Sequence, residues 1–482
     1  MDIRQFVEPW SPWLDRDLKE KWGLSVPTFR RPIFGKLVDD LFSVDQIISI
    51  IGPRRVGKST LMRQLVKYLI KEKDVDPTHI IYYSFDDPTL SLRNISGGEF
   101  IESLYDHVRQ IGEPAYLLLD EIQTLERWEQ YLKKYYDLKY PIKVVVSGSA
   151  SSPIFKKSRE SLLGRVKDHH ILPFSFREYV LFHLHEPENN SLKDEMDLFL
   201  VAGENLKGML TGSLDHIDTS QVQIPMMSQE LWDFADKLLG DYFVEGGFPE
   251  VWKLPTEEKK IEYLYDNQIK KVIYEDLVLA TEFRKPEQLK MFYISLLEKP
   301  GQEVNVSSLS KDIGVGIQQI EKYLPLLEMT DLIAHVEKFR KSSVRVRKGS
   351  RKFYLIDLAL RNCIMRTGRA MLKDDTLLGL YAENLVFNAL RKWDGILQID
   401  YYREKQKEVD FIVHTKPTRY WPIEVKYRNR WISRGLPGIV RFRKQFQSVI
   451  PAVITKKNED YGYDEKLDVF QIPLVSFLMM FD

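Results

Sequence analysis

Apolar and polar residues follow two patterns in the first half of this chain. Apolar, often β-branched runs at 47–51, 79–86, 116–119 and 143–146 indicate buried strands. Between them, apolar residues recur every three or four positions at 33–46, 61–69, 99–111 and 128–135, which is the spacing of one helix face. Strands that alternate with helices in this way predict an α/β fold with a doubly wound parallel sheet.

The second half of the chain has a different pattern. Residues 306–313 and 317–327 predict two short helices separated by Gly314-Val315-Gly316, which is a helix-turn-helix pattern. Residues 332–355 have strand character. Beyond them we predict a helix opened by residues 381–386, strands at 397–402, 408–413 and 422–426, and a helix that begins near 436. Residues 183–230 are polar and poorly periodic, and we interpret them as an insertion.

Composition narrows the class of protein. The length of 482 residues predicts about two to four domains. A hydrophobic content of 44% with 29% charged residues is typical of a soluble globular protein. The formal net charge is zero, so any contact with nucleic acid needs a local basic patch. The single cysteine, Cys363, excludes an intramolecular disulfide and a cysteine-built zinc site, and it favours a reducing compartment.

Neither a membrane span nor a signal peptide is predicted. The chain has no uninterrupted apolar run of about 18 residues, the length that a membrane helix requires. Its first ten residues lack the charged-then-apolar pattern of a signal peptide. We therefore expect a cytoplasmic protein that does not bind a membrane.

Candidate chemistry begins where the first predicted strand meets a helix. There the chain matches G-x-x-x-x-G-K-[ST], the P-loop pattern, with Gly52, Pro53, Arg54, Arg55, Val56, Gly57, Lys58 and Ser59. Glycine lets such a loop turn its N–H groups toward phosphate oxygens, and the helix N-terminus adds partial positive charge. We expect this loop, with Thr60, to bind ATP. Lys58 would contact the β and γ phosphates, and Ser59 would ligate Mg²⁺.

Two further strands end in polar residues that could complete this site. Asp120 would hold Mg²⁺ through its water shell, and Glu121 would act as the general base that polarises the attacking water. The strand at 143–146 runs into Ser147-Gly148-Ser149, where a hydroxyl could sense the γ-phosphate. The pattern leaves open which serine does so, and we favour Ser147.

Arg165 follows these strands and allows two interpretations. An arginine here could stabilise transition-state charge in cis or from a neighbouring subunit, which would imply a homo-oligomer. It could equally form an ordinary surface salt bridge. The sequence leaves both open.

The helix-turn-helix pattern is followed by a basic segment. Gln318, Gln319 and Lys322 would lie on the outer side of its second helix. Eight cations lie within the fifteen residues 338–352: Lys338, Arg340, Lys341, Arg345, Arg347, Lys348, Arg351 and Lys352. This arrangement resembles a winged helix with a basic wing, and the clustering favours DNA contact, notably by Arg345, Arg347 and Lys348. The alternative is a spacer or protein contact with solvated charges.

Several motifs together resemble a known family. The P-loop, LLLDEIQ, SGSAS, GRVKDHHILPFSFREYV and GGFPEV are similar to the archaeal-type P-loop ATPases, AAA+-related proteins near the STAND and Orc/Cdc6 groups. The resemblance covers most of the chain and is weak in 1–32 and 183–240. It implies an ATPase core with extension and insertion at 1–240, a helical lid at 241–287, a winged helix at 288–360 and a PD-(D/E)xK nuclease-like domain at 370–482.

The nuclease-like resemblance rests on four residues. Because side chains alternate along a strand, Glu424 and Lys426 would project from one face, near Asp410 of the preceding strand. Glu383, Asp410 and Glu424 would then hold Mg²⁺ or Mn²⁺, with Lys426 beside the attacking water. The proline that often precedes the aspartate is missing. Fold does not settle activity, so binding without cleavage stays open.

Two hypotheses follow for the whole chain. The first is an ATP-hydrolysing AAA+-like ATPase that acts on DNA through a winged helix and carries a metal-dependent nuclease-like domain. The alternative is a nucleotide-gated switch or scaffold whose C-terminal domains mediate protein contacts without cleavage. Stimulation of ATP turnover by DNA separates the two.

Overall fold

The structure is a computed structural model that describes residues 2–14, 26–111, 114–149, 162–211, 225–277, 286–298, 300–340, 350–429 and 436–481. The chain divides into two compact units. The first unit comprises Met1–Leu172, Lys271–Arg284 and Met329–Asp331, and the second comprises Pro173–Lys270, Lys285–Glu328 and Leu332–Asp482. None of the helices in the described ranges has the length and apolar character to cross a membrane.

The first unit contains a five-stranded parallel sheet in the order β2-β3-β4-β1-β5. Every residue of β1, β2 and β3 is buried, as expected for apolar strands that helices cover on both faces. The parallel α/β sheet predicted from the sequence is thus confirmed. The strands are β1 (Ile47–Gly52), β2 (Ile80–Ser84), β3 (Ala115–Asp120), β4 (Ile142–Ser149) and β5 (Val166–His170).

Four helices of eight or more residues are described in this unit. Each presents apolar residues at helical spacing to the core, as in α3, where Phe100, Leu104 and Val108 are buried. The helices are α1 (Ile33–Ser43), α2 (Lys58–Lys71), α3 (Gly97–Ile111) and α4 (Trp128–Asp137).

The N-terminal extension covers the free edge of β2. The Ser11 hydroxyl donates to the carbonyl of Tyr82 at 2.8 Å and accepts from its N–H at 2.9 Å. The indole of Trp13 donates to the carbonyl of Ile80 at 2.8 Å. These bonds satisfy backbone groups that an edge strand would otherwise expose. Over residues 2–14, the extension therefore packs on the first unit.

The second unit contains a nine-stranded mixed sheet in the order β13-β14-β12-β11-β10-β9-β7-β8-β6. The bridge between its halves is the parallel pair β7–β9, in which Glu337 faces Asp400 and Lys338 faces Tyr401. Strands that the sequence assigns to the separate ranges 288–360 and 370–482 thus belong to one sheet. The strands are β6 (Glu303–Val304), β7 (Ile333–Lys338), β8 (Arg351–Leu355), β9 (Gln398–Glu404), β10 (Lys407–Lys416), β11 (Arg419–Val425), β12 (Ala452–Thr455), β13 (Gly462–Asp464) and β14 (Val469–Pro473).

Helices surround this sheet, and one of them corrects the sequence interpretation. Within 183–230, interpreted above as a poorly periodic insertion, residues Asn190–Thr211 form a 22-residue helix. Its buried residues Leu192, Met196, Phe199 and Leu206 have helical spacing, but numerous polar residues between them hide the pattern. The helices are α5 (Phe176–Leu184), α6 (Asn190–Thr211), α7 (Gln229–Glu245), α8 (Glu257–Leu264), α9 (Pro286–Leu297), α10 (Val306–Ile313), α11 (Ile317–Met329), α12 (Leu358–Met365), α13 (Asp375–Lys392), α14 (Pro437–Arg443) and α15 (Leu474–Phe481).

Short helical segments connect these elements. Two π-helical segments follow α8 within 241–287, the range predicted as a helical lid. The short segments are Arg4–Val7, Pro12–Leu14, Pro77–His79, Thr89–Leu92, Ile122–Thr124, Pro187–Asn189, Pro249–Trp252, Tyr265–Lys270, Val272–Asp276, Arg369–Lys373 and Asn458–Asp460.

The GGFPEV motif has a packing role in the structure. Gly246 has a φ of 68°, and a β-carbon there would lie 2.0 Å from the Asp357 carboxylate. The next N–H, of Gly247, donates to that carboxylate at 2.6 Å. The motif is therefore glycine-rich because the backbone approaches the buried Asp357 closely.

Candidate ATPase site

The P-loop lies between β1 and α2, at the carboxyl edge of the parallel sheet. Its conformation requires glycine at Gly57, whose φ is 98°. A β-carbon at Gly57 would meet no atom within 4 Å, so backbone conformation rather than crowding selects glycine there. Helix α2 begins at Lys58, which directs its first N–H groups toward the loop. The loop therefore has the shape of an anion cradle.

Lys58 is held inside this cradle. Its side chain is buried, and its ammonium donates to the carbonyls of Gly52 at 3.1 Å and Pro53 at 2.8 Å. Arg31, which the sequence analysis missed, supports the loop from outside by donating to the carbonyl of Val56 at 3.1 Å. No sequence motif marks Arg31, because its contact joins residues that are 25 positions apart.

Asp120 ends β3 and is oriented by two neighbouring strands. The hydroxyl of Tyr82, on β2, donates to Asp120 Oδ2 at 2.6 Å. On the other side, the hydroxyl of Ser147, on β4, donates to Asp120 Oδ1. Burial, followed by the Asp120 charge, raises the pKa of Tyr82 far above its usual value, so its hydroxyl remains a donor. Both bonds fix the carboxylate at the edge where the P-loop lies.

Ser147 therefore occupies a different position from the one its predicted role suggests. It is fully buried and bonded to Asp120, and the N–H of Glu121 donates to its hydroxyl at 3.2 Å. In this arrangement Ser147 positions the acidic pair. Direct contact of Ser147 with a γ-phosphate stays a prediction.

Glu121 turns the chain out of β3 in a left-handed conformation with a φ of 52°. A non-glycine residue adopts this conformation only where its surroundings hold it, and such positions cluster at functional sites. Burial raises the pKa of the Glu121 carboxyl above its ordinary value of 4.5, and the Lys58 ammonium partly opposes this shift. Gln123, another residue that sequence reasoning missed, donates to its Oε2. A general base benefits from such a raised pKa.

A third carboxylate, Asp86, extends this acidic edge just beyond β2. Burial and the Asp120 charge raise the pKa of Asp86, whereas the charges of Arg54 and Lys58 lower it. Carboxylates and cations thus face each other around the loop, as a site for a phosphate chain and a divalent cation requires. Ser59 and Asp120 supply the oxygen ligands that suit Mg²⁺. The residues present fit Mg²⁺ and ATP.

Arg165 lies at the opposite edge of the sheet. Its carbonyl accepts from the N–H of Ile47, the first residue of β1, whereas the P-loop follows the last. Its guanidinium pairs with Asp137 at 2.7 Å. Because the two edges are separated by the length of β1, Arg165 does not reach the P-loop of its own chain. A role in cis is therefore excluded by this geometry, and a role in a neighbouring subunit stays a prediction.

Comparison with known families agrees with this site. Residues 44–180 match the family model described as AAA domain. This range contains β1 to β5 with the P-loop, Asp120, Glu121 and Ser147. Residues 236–371 and 378–475 match two models described as domains of unknown function, DUF8612 and DUF4143.

The chain is also similar to a curated protein and to solved structures. An uncharacterized protein of Haemophilus influenzae is 23% identical over 375 residues, which cover 76% of this chain and 79% of that protein. The structure of C. elegans PCH-2 has a TM-score of 0.25 at 13% sequence identity. The match covers 52% of this chain and 63% of the PCH-2 chain. The crystal structure of Cdc6p from Pyrobaculum aerophilum has a TM-score of 0.25 at 12% identity, covering 68% of this chain and 91% of that one.

The predicted DNA-contact residues are only partly described. Gln318 and Lys322 are exposed on α11, and Gln319 is half-buried beside them. Arg345, Arg347 and Lys348 lie outside the described residues. At the end of the basic segment, Lys352 is 3% exposed, so its charge does not face solvent. The prediction that all eight cations form one basic wing for phosphate contacts therefore does not hold for Lys352.

The predicted metal ligands of the second unit lie close together. Asp410 lies on β10, Glu424 on the adjacent β11 and Glu383 on α13. The N–H of Val425 donates to Asp410 Oδ2 at 2.8 Å. Lys426 directly follows β11 and pairs with Glu424 Oε1. The structure therefore brings together all four residues of the predicted constellation.

Lys352 enters the same cluster from β8, and its ammonium changes the chemistry of the cluster. Its ammonium lies 3.0 Å from Glu383 Oε1, 2.7 Å from Glu408 Oε1 and 3.6 Å from Asp410 Oδ1. The carboxylates of the cluster thus already share a cation. The sequence did not assign Lys352 or Glu408 to this cluster, because nothing in the spacing links β8 to β10.

The geometry of this cluster does not fit a divalent metal ion. Within the described ranges, no group of three or more His, Cys, Asp or Glu residues is placed to hold one. Burial raises the pKa of Glu383 to about 7 and that of Glu424 to about 8, while the ammonium groups of Lys352 and Lys426 oppose these shifts. The expected Mg²⁺ or Mn²⁺ site is therefore not formed in this arrangement.

Proposed function

We propose that the ATPase domain hydrolyses ATP and that this hydrolysis acts on DNA bound by the second unit. The observation that carries the ATPase part is the pair Asp120–Glu121, oriented by Ser147 and Tyr82 at the sheet edge that carries the P-loop. The DNA part rests on the second unit, where α11 presents Gln318 and Lys322 to solvent.

Hydrolysis follows from the roles that these residues can take. Bound ATP supplies the phosphates, and Mg²⁺ supplies a Lewis acid that polarises the γ-phosphate. The loop N–H groups and Lys58 would bind the phosphate oxygens, and Ser59 and Asp120 would hold the metal ion. Glu121 would orient a water and accept its proton, because its raised pKa brings its basicity closer to that of a working general base.

Element order in the second unit supports the winged-helix proposal for DNA binding. Helix α9 is followed by β6, α10, α11, β7 and β8. In the sheet, β8 pairs antiparallel with both β6 and β7. A helix-strand-helix-helix-strand-strand order with this pairing suits a module whose second helix of the pair enters the major groove.

ATP turnover by the full chain tests the proposal. Steady-state hydrolysis is measured with Mg²⁺ alone and with linear duplex, single-stranded or branched DNA. We expect at least a severalfold stimulation by one form of DNA, because binding energy can favour the hydrolytically competent state. Hydrolysis that no form of DNA changes would reject the DNA part and leave the ATPase part standing.

One observation favours the alternative, a nucleotide-gated switch or scaffold without cleavage. Lys352 places a positive charge within the acidic cluster. A domain of this kind would contact protein or DNA without cutting it. Metal-dependent cleavage by Glu383, Asp410, Glu424 and Lys426 stays a prediction, and incubation of each DNA form with Mg²⁺ or Mn²⁺ tests it.

A further inference from the structure

The acidic cluster of the second unit contains its own cation. The Lys352 side chain is 3% exposed, and the carboxylates around it are those of Glu383, Glu408 and Asp410. An ammonium group has three N–H donors, and here it has three carboxylates as neighbours. A buried lysine is stable as a cation only where such partners compensate its lost hydration.

Three carboxylate oxygens of the cluster have further contacts: Glu383 Oε1, which Lys352 also contacts, Glu408 Oε2 and Asp410 Oδ2. Tyr354 donates to Glu383 Oε1 at 2.8 Å, and Arg403 Nε lies 3.4 Å from Glu408 Oε2. Asp410 Oδ2 accepts the N–H of Val425, as described above. A metal ion entering the cluster would have to displace these partners.

One oxygen differs from the rest. Glu424 Oε2 is buried and has no hydrogen-bond partner in the part of the chain that the structure describes. A single oxygen of this kind supplies one ligand, whereas Mg²⁺ takes six in near-octahedral geometry. Water can supply several of the remaining ligands, but any further ligand from Glu383, Glu408 or Asp410 would come from a carboxylate that already contacts Lys352. A dication placed among them would also be repelled by the ammonium at short range.

We propose that Lys352 is the resident cation of this cluster and excludes divalent metal ions from it. The lysine then has a structural consequence too. It ties β8, which follows the basic segment, to α13 and β10 of the range predicted as nuclease-like. The cluster would thus join two predicted modules by an ion-pair network instead of holding a catalytic metal.

Binding of Mn²⁺ to the full chain without nucleotide tests this proposal. All variants carry Asp120→Asn, which weakens metal binding in the ATPase domain, and bound Mn²⁺ is counted by electron paramagnetic resonance. The set is the Asp120→Asn chain itself and its combinations with Asp410→Asn, Lys352→Arg, Lys352→Met and Lys352→Met/Asp410→Asn. Circular dichroism and thermal unfolding establish which variants fold.

We expect the Asp120→Asn chain, with or without Asp410→Asn or Lys352→Arg, to show the same low Mn²⁺ binding. Lys352→Met should gain one site with at least tenfold tighter binding, and adding Asp410→Asn should remove it. A site in the Asp120→Asn chain that Asp410→Asn abolishes would overturn the proposal. A folded Lys352→Met chain with no gain would also overturn it. If Lys352→Met does not fold, Mn²⁺ binding by the Asp120→Asn chain with and without Asp410→Asn still tests the proposal. No outcome depends on ATP or DNA.

Discussion

At the scale of single residues, the ATPase site is organised by hydrogen bonds to the carboxylate of Asp120. The hydroxyl of Tyr82 donates to one oxygen at 2.6 Å and that of Ser147 to the other. Charge-assisted bonds of this kind are stronger and shorter than neutral ones. They hold the carboxylate in one orientation before any ligand arrives, so less reorganisation is needed when a metal ion binds.

Lys58→Ala should remove nucleotide binding or turnover. The substitution deletes the ammonium that the P-loop holds within reach of bound phosphates. We expect kcat/KM to fall by about 10²-fold or more, the usual cost of losing a charged contact to a transferred group. Nucleotide affinity is measured with a fluorescent ATP analogue, and turnover by phosphate release. Unchanged values for both would remove Lys58 from the site.

Glu121→Gln should keep ATP binding and lower kcat by about 10²-fold or more. Glutamine has nearly the same shape but does not accept the proton of the attacking water. The pH dependence provides a second readout. Glu121 acts as a base only when its carboxyl is ionised, and burial raises the pKa of that carboxyl above 4.5. As the pH is lowered, the kcat/KM of the wild type should therefore begin to fall while the pH is still above 4.5. That limb should vanish in Glu121→Gln; an undiminished rate would place the base elsewhere.

Tyr82→Phe tests the orientation of Asp120. Loss of the hydroxyl removes one bond to the carboxylate, and we expect kcat to fall about tenfold with a stability cost of about 1–2 kcal/mol. Tyr83→Phe is the matched control, since the neighbouring Tyr83 hydroxyl is buried without a partner in the described ranges. Equal kcat values for the two variants would mean that Tyr82 only fills space.

At the scale of elements, the second unit combines the two predicted modules in one sheet. The parallel pairing of β7 with β9 involves only two residue pairs, yet it makes a continuous surface from β6 to β13. The basic segment 341–349 connects β7 to β8 within this sheet. Its cluster of cations makes it the segment to test for DNA contact.

Replacing Arg345, Arg347 and Lys348 together by alanine should weaken DNA binding and flatten its salt dependence. Each phosphate contact adds about 0.9 to the log–log slope of affinity against salt, so three contacts account for about 2.7. Fluorescence anisotropy over a range of salt concentrations measures both quantities. Replacing the exposed Lys416, Lys444 and Lys466 is the matched control. An effect of equal size in the control would mean that net charge alone is responsible.

At the scale of the whole molecule, the role of Arg165 depends on whether the chain assembles with a second copy. This residue lies at the amino edge of the ATPase sheet and pairs with Asp137, away from the P-loop of its own chain. A nucleotide contact by Arg165 therefore requires a second copy of the chain. Without such a contact, the arginine forms only a surface ion pair, which contributes little to stability.

Arg165→Ala and Asp137→Asn separate these two roles. Both variants break the same ion pair, but only the first removes the guanidinium. If Arg165 acts on a neighbouring subunit, Arg165→Ala should lower kcat by about 10³-fold and Asp137→Asn should not. The wild-type specific activity should then rise with protein concentration. Equal, small effects of both variants would leave Arg165 as a surface ion pair.

Sequence alone determined the features whose causes are local. The P-loop needs glycines, a lysine and a serine at fixed spacing between a strand and a helix, and all of them lie within residues 52–59. Strands β1 to β4 of the ATPase sheet each contain an apolar run, so they too are visible without a structure. Tertiary structure decided the rest, because the residues concerned are distant in sequence. Tyr82 reaches Asp120 across a strand pair, and Arg165 proves to lie at the wrong edge for its own P-loop. Lys352, predicted as part of a basic wing that contacts DNA, is instead buried among carboxylates from α13 and β10. Only the folded sheet brings that ammonium and those carboxylates together. Burying either charge alone would cost its hydration free energy with no ion pair to compensate it.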